Sequence, residues 1–234
     1  MTVPFLLIPG LNCTARVFAG LTDVLWPFGA VTVANHRGGD SIGAIAADIL
    51  SAAPSRFALG GFSMGGYIAF EIMRQAPHRV DRLLLLDTSA RPDTPEAAEN
   101  RRRRIALAES GKFELVVEQS FPMAVHPDNQ ERADVRALHR DMALANGADA
   151  YIRQQRAILA RPDTRPDLAS IAVPTMVIVG EGDLITPPAA AEEMHRAISG
   201  SRLAVIAGAG HLAIAENPRS VYAAVRQWAE LPRT

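Results

Sequence analysis

Six short apolar runs constrain the fold of this chain more than any other feature. They are VPFLLIPG (3–10), GAVTVAN (29–35), RFALGGF (56–62), VDRLLLLD (80–87), VPTMVIVG (173–180) and SRLAVIAG (201–208). None alternates cleanly between apolar and polar residues, as a strand with one wet face would. Near-continuous Val/Ile/Leu runs of this length read as strands buried on both faces, the pattern of a parallel sheet. Helical stretches fall between them, over 14–25, 41–52, 64–76, 188–198 and 217–229. The last of these has Asn217 placed as N-cap and Pro218 at the first helical position. Strands alternating with helices predict right-handed βαβ units, hence an α/β fold with a doubly wound, mostly parallel sheet.

The rhythm breaks once. From Asp87 to Val173 no strand-like run occurs, whereas connections in α/β units usually take about 2–6 residues. The segment is rich in Ala, Arg and Glu and reads as an all-helical insertion over residues 91–166, between the fourth and fifth strands. The core is then 1–90 together with 167–234. RPDT occurs at both ends of the insertion, at 91–94 and 161–164, and its unlike flanks point to two helix-capping turns rather than a repeat. RRRR (101–104) lies within it. Glu99 and Arg103 are spaced for an i,i+4 pair on a solvated helix face; the competing reading is a clamp for an acidic substrate.

Composition narrows the classes of function. Lys plus Arg is 24 against 25 for Asp plus Glu, which gives no footprint for nucleic acid or an anionic membrane. The opening MTVPFLLIPG lacks a basic leader, and its apolar run is short for a signal peptide or a membrane span. One cysteine, Cys13, excludes an intrachain disulfide and fits a reducing compartment. A cytoplasmic protein is the expectation. No His-Glu-x-x-His, paired-Cys or Gly-x-x-x-x-Gly-Lys pattern occurs, so neither metal nor nucleotide cofactor is expected.

Gly-x-Ser-x-Gly occurs twice, as GFSMG (61–65) and GDSIG (39–43), and context separates the two. A nucleophilic serine on a sharp strand-to-helix turn needs a strand running straight into it and a helix starting directly after it. Ser63 has both: RFALGGF leads in, and MGGYIAFEIMRQ leads out. Ser41 is separated from its strand by the polar loop NHRGGD and reads as the N-cap of helix 41–52.

A serine hydroxyl needs a base, and the base needs an orienting carboxylate. Of six histidines, His36 and His126 fall in loops, and His78, His139 and His195 on helices or their ends, as surface histidines do. His211 alone follows a strand, in LAVIAGAGHLAIAENP. The loop after a parallel strand's carboxyl end is where α/β sheets build sites. The same test on carboxylates selects Asp183, in VIVGEGDLITPP, with Asp87 at the end of the fourth strand as rival. Cys13 reads as a small buried hydrophobe rather than a reactive thiol.

The turn GFSMGG, the early LLIPGLN, the loop NHRGGDS, the segment VGEGDLITP and the terminal GAGHL together resemble the α/β-hydrolase superfamily, closest to small esterase and lactonase-like members with a helical cap. The chain order Ser63, Asp183, His211 is the one expected for this elbow type. The resemblance implies Ser63 as nucleophile, His211 as base and Asp183 as orienting acid. It also implies an oxyanion hole formed by the backbone N–H groups of Leu11 and Met64. Many members carry His-Gly where this chain has Pro9-Gly10, which implies altered loop support. The chain as given opens on what would be the family's third strand, without the usual leading hairpin.

Three functions follow as expectations. The first is hydrolysis of a small-molecule ester or lactone through an acyl-enzyme. The second uses the same machinery on a thioester or a carbon–carbon bond, or as a lyase. The third is a non-catalytic ligand-binding module. Substrate choice falls to the insertion, with Phe121 and Met123 as apolar candidates.

Overall fold

The computed structural model describes residues 3–231. In chain order the core runs β1 (Phe5–Ile8), α1 (Ala19–Leu25), β2 (Val31–Val33), α2 (Ile42–Ala52), β3 (Phe57–Phe62), α3 (Met64–Gln75) and β4 (Val80–Leu86). Three helices follow without a strand: α4 (Pro95–Glu109), α5 (Phe113–Ala124) and α6 (Ala133–Leu159), the last broken at Gly147. The core resumes with β5 (Thr175–Gly180), α7 (Pro188–Ala197), β6 (Arg202–Ile206), α8 (Ala213–Glu216) and α9 (Pro218–Ala229). Each of the six apolar runs forms one strand. The stretch 14–25 splits into a short 3₁₀ turn, Ala15–Phe18, and α1.

The strands form one sheet in the order β2-β1-β3-β4-β5-β6, and every pairing is parallel. The period of two along each strand explains why the runs do not alternate in polarity. Phe5 and Leu7 of β1, Leu84 and Leu86 of β4, and Met176 and Ile178 of β5 face α1 and α9, packing with Leu21, Val225 and Trp228. Leu6 and Ile8, Leu83 and Leu85, and Val177 and Val179 face the opposite side, toward Ile45 of α2, Ile68 of α3 and Met194 of α7. Both faces are therefore apolar, and each such buried side chain contributes about 1.5–3 kcal/mol of burial free energy. The strands at the two edges, β2 and β6, are only partly buried.

The chain leaves β1 toward one edge of the sheet and returns from β2 to the other side of β1. That reversal opens a crevice at the carboxyl ends of β1 and β3, the place where α/β sheets bind ligands. Helices α4–α6 carry an apolar cluster of their own, including Phe113, Val116, Val117 and Tyr151, with Leu11 of the core packed against it. Among the described residues, no helix is long and apolar enough to cross a membrane.

The two RPDT turns lie side by side where this insertion leaves and rejoins the core. Thr94 caps α4 through its hydroxyl, which accepts from the Ala97 N–H. Thr164 departs from the expected capping role: it precedes a 3₁₀ turn, and its hydroxyl and N–H both donate to the Ala90 carbonyl. Arg161 of the second turn reaches Asp93 of the first at 2.8 Å.

Candidate active site

β3 runs directly into Ser63, and α3 begins at the next residue. Ser63 sits at φ 52°, ψ −116°, a strained conformation for a residue with a side chain. Its neighbours hold it there. The Ser63 N–H donates to the Leu86 carbonyl at 2.9 Å, and its own carbonyl accepts from the Gly66 N–H and the Thr88 hydroxyl, each at 2.8 Å. The flanking glycines are steric requirements: a methyl at Gly61 would strike the Gly65 carbonyl, and one at Gly65 would strike the Ile8 carbonyl. Asn12, Ser63 and Asp87 are the non-glycine residues with positive φ among those described, and each follows a strand's carboxyl end. Strain is concentrated at one rim of the sheet.

The loops after β5 and β6 bring Asp183 and His211 to that rim. His211 Nε2 lies 2.8 Å from Ser63 Oγ, and His211 Nδ1 lies 2.8 Å from Asp183 Oδ2. Asp183 is 2 % exposed and fully engaged. Oδ1 accepts from the N–H groups of Ile185 and Thr186 at 2.8 and 2.9 Å, and Oδ2 accepts from the Thr186 hydroxyl at 2.7 Å. Burial alone would raise this carboxyl, but His211 and the Thr186 donors together hold it below the usual carboxylate range. A carboxylate fixed at Nδ1 favours the tautomer that leaves Nε2 facing Ser63 as an acceptor.

Several residues with no signal in the sequence position these three. Thr186 lies within the segment that carries Asp183 and is distinguished there only by its contacts. Glu216, buried on α8, accepts from the Gly210 N–H at 2.9 Å and the His126 N–H at 2.7 Å, tying the His211 loop to the insertion. His36, expected as a loop histidine, is buried with Nε2 2.8 Å from the Gly10 carbonyl. It supports the loop at which Pro9-Gly10 departs from the common His-Gly. On α6, Gln154 Oε1 accepts from the Asn12 N–H at 3.1 Å, and Asn146 Nδ2 donates to the Cys13 carbonyl at 3.0 Å. Loop 11–13 is thus tethered to α6 at two points.

The rival residues make no hydrogen bond to Ser63 or His211 side chains among the described residues. Asp87 is fully buried, and its Oδ1 accepts from the Gly180 N–H at 2.8 Å; burial, then the charge of Asp183, pushes its carboxyl well above the usual range. Ser41 caps α2 through the Ala44 N–H. Cys13 is buried, and burial pushes its thiol up to about 12, so it stays protonated and inert. Leu11 lines the cleft beside Ser63, and Met64 opens α3, whose N-terminal partial charge favours an anion.

The cleft between sheet rim and insertion has a volume of about 190 Å³ and is lined by Ser63, His211 and Leu11 below and by Arg104, Met123 and Tyr151 above. Two expectations about the insertion need correction. Phe121 is 1 % exposed and packs inward against His139 and Arg136, so Met123, not Phe121, faces the cleft. His139 is not a surface histidine: it lines the cleft, and burial lowers it to about 4. Among the described residues, no group of three or more His, Cys, Asp or Glu side chains is gathered to hold a metal ion.

A parallel sheet with this serine turn, and with histidine and acid on the last two strand-end loops, defines a class. The chain belongs to the alpha/beta hydrolase fold family, whose sequence profile matches residues 53–218. Among curated relatives, the pimeloyl-acyl-carrier-protein methyl ester esterase of Neisseria meningitidis serogroup C is 28% identical over 240 residues, spanning 96% of this chain and 92% of that protein. Among solved structures, a thermophilic esterase from Thermogutta terrifontis superposes with a TM-score of 0.87 at 31% identity, covering 97% of this chain and 89% of that one. The enol-lactonase from Burkholderia xenovorans LB400 does so with a TM-score of 0.87 at 25% identity, covering 97% and 92%.

Proposed function

We propose that the protein is a serine hydrolase that cleaves a small carboxylic ester or lactone through an acyl-enzyme. The observation that carries this reading is the continuous hydrogen-bonded line from Ser63 Oγ through His211 to Asp183, opening into a cleft. Ser63 Oγ attacks the carbonyl carbon as its proton passes to His211 Nε2, and Asp183 stabilises the imidazolium. The oxyanion is held by the N–H groups of Leu11 and Met64. Collapse breaks the carbon–oxygen bond, and the leaving alkoxide takes the proton from Nε2. Water then attacks the acyl-enzyme, giving its proton to Nε2, and Ser63 is regenerated with release of the acid. In a lactone the leaving oxygen stays tethered to the acyl group.

Residues 91–166 act in this reading as a cap domain over a core of 1–90 and 167–234. A methyl ester esterase and an enol-lactonase among the similar proteins support an ester or lactone substrate. The test is a panel of p-nitrophenyl esters, lactones and acyl-CoA thioesters, with Ser63→Ala as control. Esters or lactones should be turned over by the wild type and not by the variant. Turnover of thioesters alone, or equal turnover by Ser63→Ala, would overturn the reading.

A further inference from the structure

The arginine run 101–104 divides between two faces of α4. At about 100° per residue, Arg101 and Arg104 share one face while Arg102 and Arg103 turn away. Arg102 and Arg103 are exposed and lie 3.6 and 3.4 Å from Glu99; the Arg103 contact is the solvated i,i+4 pair expected from sequence. Arg101 and Arg104 instead line the Ser63 cleft and also its adjoining mouth, a further space of about 440 Å³.

These two inward arginines differ in their partners. Arg101 is held by Asp93 at 2.8 Å and by the Gln155 side chain, and Gln155 donates in turn to the Tyr151 hydroxyl at 2.6 Å. At the mouth, Arg161 shares Asp93, and Arg91 pairs with Glu193 at 2.8 Å. Arg104 alone of these four makes no hydrogen bond or ion pair among the described residues. No Asp or Glu lines the cleft; Asp93, the one carboxylate lining its mouth, is already shared by two arginines, and nearby Glu193 is taken by Arg91. The cleft therefore presents one uncompensated guanidinium beside the Tyr151 hydroxyl, whose hydrogen is free to donate once its oxygen accepts from Gln155.

A guanidinium fork matches a carboxylate in charge and in planar two-point geometry. One positive charge balances one carboxylate and leaves a phosphate dianion undercompensated. We infer that Arg104, with Tyr151, binds a carboxylate carried by the substrate remote from the scissile bond. The preferred substrate is then a half-ester of a dicarboxylic acid, or a carboxylate-bearing lactone or ester, and not a neutral ester. This inference rests on the serine-hydrolase reading, within which Arg104 is a specificity-determining residue.

Two matched series test it. Monomethyl esters of linear C4–C8 dicarboxylic acids are compared with methyl esters of the corresponding monocarboxylic acids. Acetate esters of ω-hydroxy carboxylic acids place the carboxylate on the leaving side and are compared with neutral alkyl acetates. At one or more chain lengths in one series, wild-type kcat/KM should favour the anionic ester on the order of 10- to 100-fold, as expected for a hydrogen-bonded charge. Arg104→Met should collapse that ratio mainly through KM, and Arg104→Lys should restore part of it. A neutral ester equal or better throughout both series, or a preference that survives Arg104→Met, would overturn the inference while leaving the hydrolase reading intact. If neither esters nor lactones are turned over, the hydrolase reading fails, and calorimetric titration of half-esters into Ser63→Ala still decides the carboxylate site. Binding that disappears in Ser63→Ala/Arg104→Met supports it; equal binding by both proteins refutes it.

Discussion

Ser63 holds a positive φ that only its neighbours make tolerable, and the strain presents Oγ at the rim within 2.8 Å of His211. Ser63→Ala removes one oxygen and leaves both flanking glycines in place, so ester turnover should vanish while the urea midpoint stays near wild type. Ser41→Ala should do the reverse, costing about 1 kcal/mol as a lost cap with turnover kept. A dead Ser41→Ala enzyme would move the nucleophile. Asp183→Asn leaves His211 in the wrong tautomer and should lower kcat by about 10⁴-fold. Asp87→Asn should cost far less, because Asp87 bonds the Gly180 N–H and not the imidazole; the opposite ranking in steady-state kinetics would reassign the acid. His36 governs stability rather than chemistry. Burial, opposed by its bond to Gly10 and aided by the charge of Arg37, lowers it from 6.5 to about 4. Between those values the unfolded chain binds a proton that the folded chain does not. The stability is full above pH 6.5 and lost as pH falls toward 4, about 2 kcal/mol of it by pH 5. Urea titrations at pH 7 and pH 5 should show that loss, reduced in His36→Gln, with His139 contributing in the same direction.

At the scale of elements, the insertion is anchored by the paired turns at its base. Burial would raise the Asp93 carboxyl, yet Arg101 and Arg161 hold it below the usual range. Asp93→Asn would leave two half-buried guanidinium groups without their carboxylate and should cost on the order of 3 kcal/mol. Arg102→Gln, on the exposed face of the same helix, should change the melting temperature little; equal effects of the two would deny the clasp its role. The contrast between these arginines also shows what the sequence makes legible. Ser63, Asp183 and His211 are legible because each lies within a few residues of an apolar strand run, so local pattern places them at one sheet rim. The rotation of α4, α5 and α6 is not local. Which of Arg101 to Arg104 turns inward, whether Phe121 or Met123 meets the cleft, and that His139 is half-buried against it all depend on packing between helices distant in sequence. Glu216 and His36 stay hidden for a related reason, since their partners lie on other loops.

Across the whole molecule, the insertion is more than a lid, because Gln154 and Asn146 of α6 tether the loop that carries Leu11, Asn12 and Cys13. Replacing residues 95–160 with a short Gly/Ser linker removes both tethers. Even small activated acetates, which need little of the pocket, should then lose on the order of 10²-fold in kcat, as for a missing oxyanion donor. A soluble, folded deletion variant that keeps acetate turnover within about tenfold of wild type would show that loop 11–13 stands without the insertion. All of this depends on Ser63 being the residue that His211 activates, and covalent trapping reads that most directly. Wild type, Ser63→Ala and His211→Ala are treated with a p-nitrophenyl organophosphate ester, which transfers its phosphoryl group to an activated serine with loss of p-nitrophenolate. Intact mass and peptide mapping then locate the adduct. One adduct is expected, on the peptide containing Ser63, absent in Ser63→Ala and strongly slowed in His211→Ala. An adduct on Ser41 or another residue, or labelling of Ser63 at the wild-type rate without His211, would contradict it.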